Sequence, residues 1–253
     1  MKIKAEVVKF LKNPPGSVGK ALLRKMLYGE YKAQSYSPNE RSIEYGFVFN
    51  MITRLGPKSI LDVGTGKSSL PHLMQICGLE VTAIDNIYDY WPKLGMFNRH
   101  YYVIDHDITK LSMQKKFDMV TCISTLEHIA QFDQAVKHMA DQLSPLGHLI
   151  LTCPYNEKRY VDNVYRLPGS CGRVDVGYIC QAFSKGQFNS WERDFGLEVV
   201  EQHYWQCFTG EFWSQGSHVL PPRQVSTQDS HQLTCVLLRK KINMNNLKTV
   251  EVL

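Results

Sequence analysis

Ser59-Ile60-Leu61-Asp62-Val63-Gly64-Thr65-Gly66-Lys67-Ser68-Ser69-Leu70 decides the fold of this chain. Its first half is a short apolar run broken by one acid, the composition of a strand covered on both faces. Its second half carries two glycines one residue apart, which permit a tight turn and let a ligand approach the backbone closely. Residues 67–77 then read as a helix, with Pro71 tolerable in its first turn and Gly78 ending it. A strand, a glycine turn and a helix in succession open an α/β unit.

The same pattern repeats outward from this point. Leu79 to Ile84, Tyr101 to Ile104, Phe117 to Ile123 and Gly147 to Thr152 read as four further strands. A helix is expected from Glu127 to Leu143, with Ile129, Phe132, Val136 and Met139 inward. Upstream, Ser37-Pro38-Asn39 enters a helix over 39–55 with Ile43, Phe47 and Met51 on one face, stopped by Gly56-Pro57. Downstream, Ser184 caps a helix that Gly196 closes, and Leu197–Trp205 and Leu233–Leu238 read as the last two strands. Short apolar strands alternating with helices predict a parallel α/β sheet with helices on both faces.

The chain has 253 residues, 43% apolar and 21% charged, and a formal net charge of +5. This is an ordinary globular composition, and no run of apolar residues is long enough to span a bilayer. The charge is concentrated at the start. Residues 1–34 hold eight basic and two acidic groups, so they carry +6 and the rest carries −1. Within this arm Val18, Leu22 and Met26 recur at helical spacing. It reads either as an amphipathic helix on an anionic membrane surface or as a helix packed on the body with its lysines in water. The body is not basic and shows no recognition motif, so no nucleic-acid partner is expected. Seven cysteines, an odd number without CxxC spacing, predict reduced thiols and a cytoplasmic protein, membrane-peripheral if the arm docks. His203, His218 and His231 lack metal-ligand spacing, and no metal is expected.

In an open α/β sheet, ligands bind beyond the carboxyl ends of the strands, so the residues there carry the chemistry. Gly66-Lys67-Ser68 is not a phosphate-binding loop, because that motif requires glycine at position 61, which is leucine. A dinucleotide fingerprint fits in part, its third glycine being replaced by Ser69. Asp62, inside an apolar strand, is costly to bury without partners. It can accept bonds from loop amides or hold a ligand ammonium through water. Asp85 ends the second strand, where a carboxylate can bond both hydroxyls of a ribose. Asp107 follows the third strand, placed to meet an adenine amino group with Ile108 against the ring. Each acid singly also suits a cap or turn.

With these residues in order, the sequence resembles the class I S-adenosylmethionine-dependent methyltransferases. The matching stretches are SILDVGTGKSSL (59–70), VTAIDN (81–86), DHDITKL (105–111), FDMVTCISTLEHI (117–129) and LSPLGHLILTCP (143–154). The resemblance covers 39–240, more loosely after 155, and the phrase Ser124-Thr125-Leu126-Glu127-His128-Ile129 is typical of small-molecule and sugar branches. It implies a Rossmann-like, doubly wound sheet of seven strands with an antiparallel last strand, and S-adenosylmethionine as cofactor, leaving as S-adenosylhomocysteine. It implies that Asp62, Gly64, Thr65 and Gly66 frame the methionine part and that Asp85 and Asn86 hold the ribose. Asp107 and Ile108 would contact adenine, and Ile123 and Ser124 would line the methionine side. Ser68 departs from the third glycine of many members.

An oxygen acceptor needs a base, and His128, with Glu127 beside it, is the candidate. The alternative is that both serve a helix N-terminus. Tyr155 and Asn156 follow the fifth strand and should face the acceptor, or make a turn after Pro154. The insertion 155–183, with Arg159, Tyr160, Arg166 and Tyr178, reads as a lid for an anionic or glycan acceptor or as cover for the sheet. In the loop 207–230, Trp213 stacks on a ring or anchors the core. The expected layout is a helical arm (1–38), a methyltransferase domain (39–240) and a tail (241–253). The expected activity is O-methylation of a small molecule or saccharide, with surface-glycan synthesis as its setting. The alternatives are a non-catalytic cofactor-binding protein of the same fold and a nicotinamide-dependent enzyme.

Overall fold

A computed structural model describes residues 39–66, 68–86, 101–110, 113–172 and 179–241, with isolated positions at 16, 21 and 25. The basic arm, Tyr178 and the tail beyond Lys241 lie outside the described residues. By its internal contacts the chain divides after Asn39, and every element named below belongs to the unit Glu40–Leu253.

Among the described residues eight strands form one sheet: β1 (Ser59–Val63), β2 (Glu80–Asp85), β3 (Val103–Asp105), β4 (Phe117–Ile123), β5 (Leu143–Pro154), β6 (Leu197–Phe208), β7 (His218–Val225) and β8 (Leu233–Lys240). Their order is β3-β2-β1-β4-β5-β8-β6-β7. The first five pair in parallel, and β8 lies antiparallel between β5 and β6. Among the described residues four α-helices accompany them: α1 (Arg41–Leu55), α2 (Leu70–Ile76), α3 (Phe132–Gln142) and α4 (Lys185–Asp194).

Alternating residues of the apolar strands face opposite layers, as the period of two requires. Ile60, Met119, Ile150, Cys235 and Leu237 join Phe47, Val48 and Met51 of α1 and Leu70 and Met74 of α2. Their neighbours Leu61, Val120, Leu149, Leu151, Val236 and Leu238 join Val136 and Met139 of α3 and Phe188 and Trp191 of α4. Trp191 Nε1 donates to Asp133 Oδ1 at 2.7 Å, tying α4 to α3. All seven cysteines are unpaired, five of them buried. Among the described residues no helix is long and apolar enough to cross a membrane.

The structure corrects four expectations. The sheet has eight strands, not seven. The added β7 lies within the segment expected to be a loop, where Pro221 and Pro222 argue against a strand. β7 pairs only with β6 and ends the sheet, so prolines are tolerated there. The helix expected over 127–143 splits into a 3-10 turn (Leu126–His128) and α3, because Ile129 is extended (φ −97°, ψ 110°). α2 begins only at Leu70, the glycine loop being longer than expected. Finally, β5 starts at Leu143, which pairs with Phe117, and not at Gly147.

Candidate active site

The parallel register brings the ends of β1, β2 and β4 to one edge, since Val63 lies beside both Ile84 and Cys122. There the chain turns sharply. Gly64 and Gly66 have φ of +71° and +55°, a conformation that favours glycine. Gly64 N–H donates to the Ile84 carbonyl at 2.9 Å, folding the loop over β2. A Cβ at Gly64 would lie 2.0 Å from Thr125 Cγ2, so the loop after β1 and the turn after β4 touch where only glycine fits. Asp85 Oδ2 accepts from Gly66 N–H at 2.5 Å, holding that carboxylate at the loop's rim. Ser68 Oγ accepts from Leu70 N–H at 2.9 Å and meets Tyr45 OH at 2.9 Å, which is what serine does in place of a third glycine.

Asp62 is buried and accepts hydroxyl donors, Thr65 Oγ1 and Thr121 Oγ1, each at 2.7 Å. The expected loop amides instead point to β2. Burial pushes its carboxyl up to about 6 against those two bonds, with Asp85 adding to the shift. Asp107 is occupied locally. Its Oδ1 accepts from Thr109 N–H (2.9 Å) and Oγ1 (2.7 Å), and Lys110 lies 3.1 Å from Oδ2. Partial burial opposes it, but these donors hold the carboxyl below its ordinary value. Ile108 is buried against the α3 side, and Asn86 directly follows β2.

At the end of β4, Ile123 is partly buried against the α1 layer, and Ser124 takes φ of +44°. Ser124 Oγ donates to Glu44 Oε1 at 2.5 Å, and Thr152 Oγ1 donates to the same oxygen at 2.6 Å. Arg41 Nη1 lies 2.5 Å from Glu44 Oε2. Glu44 is fully buried, and burial raises its carboxyl even though Arg41 and the hydroxyls oppose the shift. Sequence reasoning missed Glu44 and Arg41. The available signal was an acid at position 44, in register with Phe47, Val48 and Met51 on the apolar face of α1.

Glu127 and His128 sit on the 3-10 turn. Glu127 is 4% exposed, and its Oε2 has no hydrogen-bond partner among the described residues. Burial, with Glu44 adding to it, pushes its carboxyl up to about 8, so it holds a proton at neutral pH. His128 Nδ1 lies 2.6 Å from the Ile179 carbonyl, which can only accept, so Nδ1 carries the proton. Nε2 is then the lone-pair nitrogen, 3.9 Å from Glu127 Oε1. Burial lowers the imidazole below its ordinary value, opposed by the Ile179 bond and aided by Arg41, so it is neutral at pH 7.

The insertion and the β6–β7 loop meet in a separate small core of Val164, Cys180, Ala182 and Phe212, with Trp213 partly buried in it and edge-on to Phe208. Arg166 is exposed on a 3-10 turn (Val164–Arg166). The Tyr155 ring turns toward α4, against Phe188 and His231, and its hydroxyl donates to Glu157 Oε2 at 2.9 Å. Asn156 Oδ1 accepts from Lys158 and Arg159 N–H, a turn role. A cleft of about 280 Å3 lies between α4 and β6, lined in part by Tyr155, Glu157, Lys185 and Glu192. Its charges serve one another or the backbone: Lys185 pairs with Glu157 at 3.3 Å and Glu192 accepts from Val199 N–H. The glycine loop, Asp62, Asp85, Ser124, Glu127 and His128 thus share one edge of the sheet; Tyr155 follows β5 at that edge but turns its ring toward α4, and Trp213 packs in the small core of the insertion.

Residues 41–202 match the model of a methyltransferase-domain family. The chain is 26% identical over 166 residues to a ubiquinone biosynthesis O-methyltransferase of Pseudomonas syringae pv. tomato, covering 58% of this chain and 67% of that one. Its fold is similar to that of TehB from Haemophilus influenzae, with a TM-score of 0.53 and 14% identity over 85% of this chain; the match spans 66% of TehB. It is also similar in fold to the 1,6-didemethyltoxoflavin-N1-methyltransferase of Burkholderia thailandensis, solved with S-adenosylhomocysteine bound. That TM-score is 0.51, with 14% identity, covering 83% of this chain and 93% of the other. With the family model spanning most of the chain over this sheet and glycine edge, the protein belongs to the class I S-adenosylmethionine-dependent methyltransferases.

Proposed function

We propose that this methyltransferase transfers the methyl group to an oxygen of a small-molecule acceptor, with His128 as the base. The observation that carries the reading is the neutral imidazole on the turn that follows β4, its Nδ1 proton committed to the Ile179 carbonyl. The naming of the Pseudomonas relative as an O-methyltransferase agrees with an oxygen acceptor.

The residues present fit the cofactor. Gly64 and Gly66 turn the loop sharply, with the Thr125 side chain packed against Gly64 and Asp85 at the rim. Asp85, with Asn86 after it, would hold the ribose hydroxyls. Asp62 would act through the loop it braces, its carboxylate taking up Thr65. Asp107 and Ile108 would close the adenine end, and Ile123 and Ser124 the methionine end. Bound S-adenosylmethionine supplies an electrophilic methyl group on a sulfonium. The protein's part is alignment and proton removal: Nε2 takes the acceptor's O–H proton as the new O–C bond forms. Protonated Glu127 offers a donor beside it and adds no negative charge that would hold the histidine protonated. The insertion 155–183 and the loop 207–230 would wall the acceptor side. A saccharide acceptor draws its support from Arg159 and Arg166 in that wall, and a reducing, cytoplasmic setting from the seven free thiols.

Calorimetric titration with S-adenosylhomocysteine tests the site. Wild-type protein should bind, and Asp85→Ala should lose about 10- to 100-fold in affinity, the worth of charge-assisted bonds to a ribose. Equal binding by both would remove Asp85 from the site. No binding by folded wild-type protein would sink the proposal. Release of S-adenosylhomocysteine with phenolic acceptors, set against nucleotide-sugars, then decides the acceptor class.

A further inference from the structure

We infer that Gln181 is a positioning residue, through which the insertion after β5 fixes the Glu127–His128 turn for reaction. The inference rests on the reading of His128 as base, and it concerns a residue remote from the motif in sequence.

Gln181 is 2% exposed, and its backbone N–H and both polar atoms of its side chain are engaged. Its backbone N–H donates to the Glu127 carbonyl at 2.9 Å. Its side-chain Nε2 donates to the Glu127 carbonyl at 3.2 Å and to the Ile129 carbonyl at 2.9 Å. Its Oε1 accepts from Tyr160 OH at 2.5 Å, so the amide is held from behind and its orientation is fixed. Two residues earlier, Ile179 supplies the carbonyl that sets the His128 tautomer. A 3-10 turn of three residues has few internal bonds to hold its shape. This one is clamped from outside, and the clamp places both Glu127 and His128.

The clamp is itself fastened outward. Ala182 and Val161 pair in both directions at 2.9 Å, and Val164 N–H donates to the Cys180 carbonyl at 2.7 Å. The outer limb is pinned to the β6–β7 loop by Cys171 N–H to the Ser214 carbonyl (2.7 Å) and by Gln215 Nε2 to the Pro168 carbonyl (2.8 Å). A continuous set of contacts therefore runs from the expected acceptor wall to the imidazole. The charges of α1 also act on the turn: Arg41 disfavours the imidazolium and Glu44 raises the Glu127 carboxyl.

Gln181→Met keeps the length and burial of the side chain and removes its hydrogen bonds. In the full-length protein, titration of the His128 ring proton by NMR should give a midpoint raised toward the ordinary histidine value, because a loosened turn admits water. With an acceptor in hand, kcat should fall about 10-fold or more, the lower end for a displaced base. The acid limb of the rate profile should move up with the NMR midpoint, while affinity for S-adenosylhomocysteine stays within about twofold, since no cofactor contact is touched. Tyr160→Phe, which removes only the support behind the amide, should move the same quantities in the same direction by less, and serves if Gln181→Met does not fold. A lower Tm with an unmoved His128 midpoint in both variants would overturn the inference and leave Gln181 a packing residue. A moved midpoint with kcat unchanged would uphold the positioning role and overturn His128 as base.

Discussion

Gly64 carries two demands at once, and its substitution separates them. An alanine there must adopt φ of +71°, which costs about 1–2 kcal/mol in itself. Its Cβ must also displace Thr125, whose Cγ2 and Oγ1 would lie at 2.0 and 2.6 Å. Gly64→Ala should therefore destabilise by more than the strain alone. Thr125→Ala should recover part of the loss, and a double-mutant cycle in urea would show positive coupling. Strict additivity would mean that the loop after β1 and the turn after β4 move independently. At this scale the sequence was legible where a residue acts through its own backbone or ends a strand, as the glycines and Asp85 do. It was silent on Glu44, whose partners Ser124 and Thr152 lie 80 and 108 positions away. Gln181 was hidden for the same reason, because a buried amide has no pattern until its acceptors are known. Asp107 and Tyr155 show the converse. Their partners are near in the chain: Asp107 accepts from Thr109, the turn role its position also suited, and Tyr155 donates to Glu157.

The helix with the clearest local signal, α4, lies where it was expected. Ser184 caps α4 in a capping box: its Oγ accepts from Gly186 N–H at 3.3 Å, and Gln187 Oε1 accepts from Ser184 N–H at 3.0 Å. Ser184 was the expected cap, and Gln187, within the same turn, completes the box. Ser184→Ala should cost about 1 kcal/mol, read as a lower urea midpoint with unchanged slope. A loss too small to measure would mean that packing of Phe188 and Trp191 alone sets where α4 begins. Elements set by distant pairing were misread. β7 exists because β6 needs a partner on its outer side, and its two prolines hide it from propensity. The break before α3 arises because the Ile129 carbonyl is taken by Gln181 and not by a helical amide. Periodicity ran through that break because Ile129, Phe132 and Val136 all still pack on the same layer.

Across the whole molecule, the central strands read as mostly apolar runs without alternation, so their burial was evident but their facing was not. Only the helices decide that Ile60 meets α1 while Leu61 meets α3. The same two-sided burial gives the protein an acid–base signature. Folding raises the carboxyls of Glu127 (to about 8), Asp62 (to about 6) and Glu44, and lowers the imidazoles of His128 and His148. A raised acid keeps a proton in the native state that the unfolded chain has released, so stability falls as pH rises through that interval. The lowered histidines act the other way, but only up to their unfolded value near 6.5. Between about pH 6.5 and 8 the raised acids remain, and Glu127 contributes to the decline in unfolding free energy by at most about 1.4 kcal/mol per pH unit, the slope of one proton. Glu127→Gln keeps the donor and the volume but cannot ionise, so its stability should decline less over that interval. Equal slopes in wild type and variant, measured by urea unfolding at several pH values, would show that Glu127 is already ionised in the native protein. The neutral donor assigned to it beside His128 would then be lost. A flattened slope would tie the stability of the sheet to the protonation state of its reactive edge.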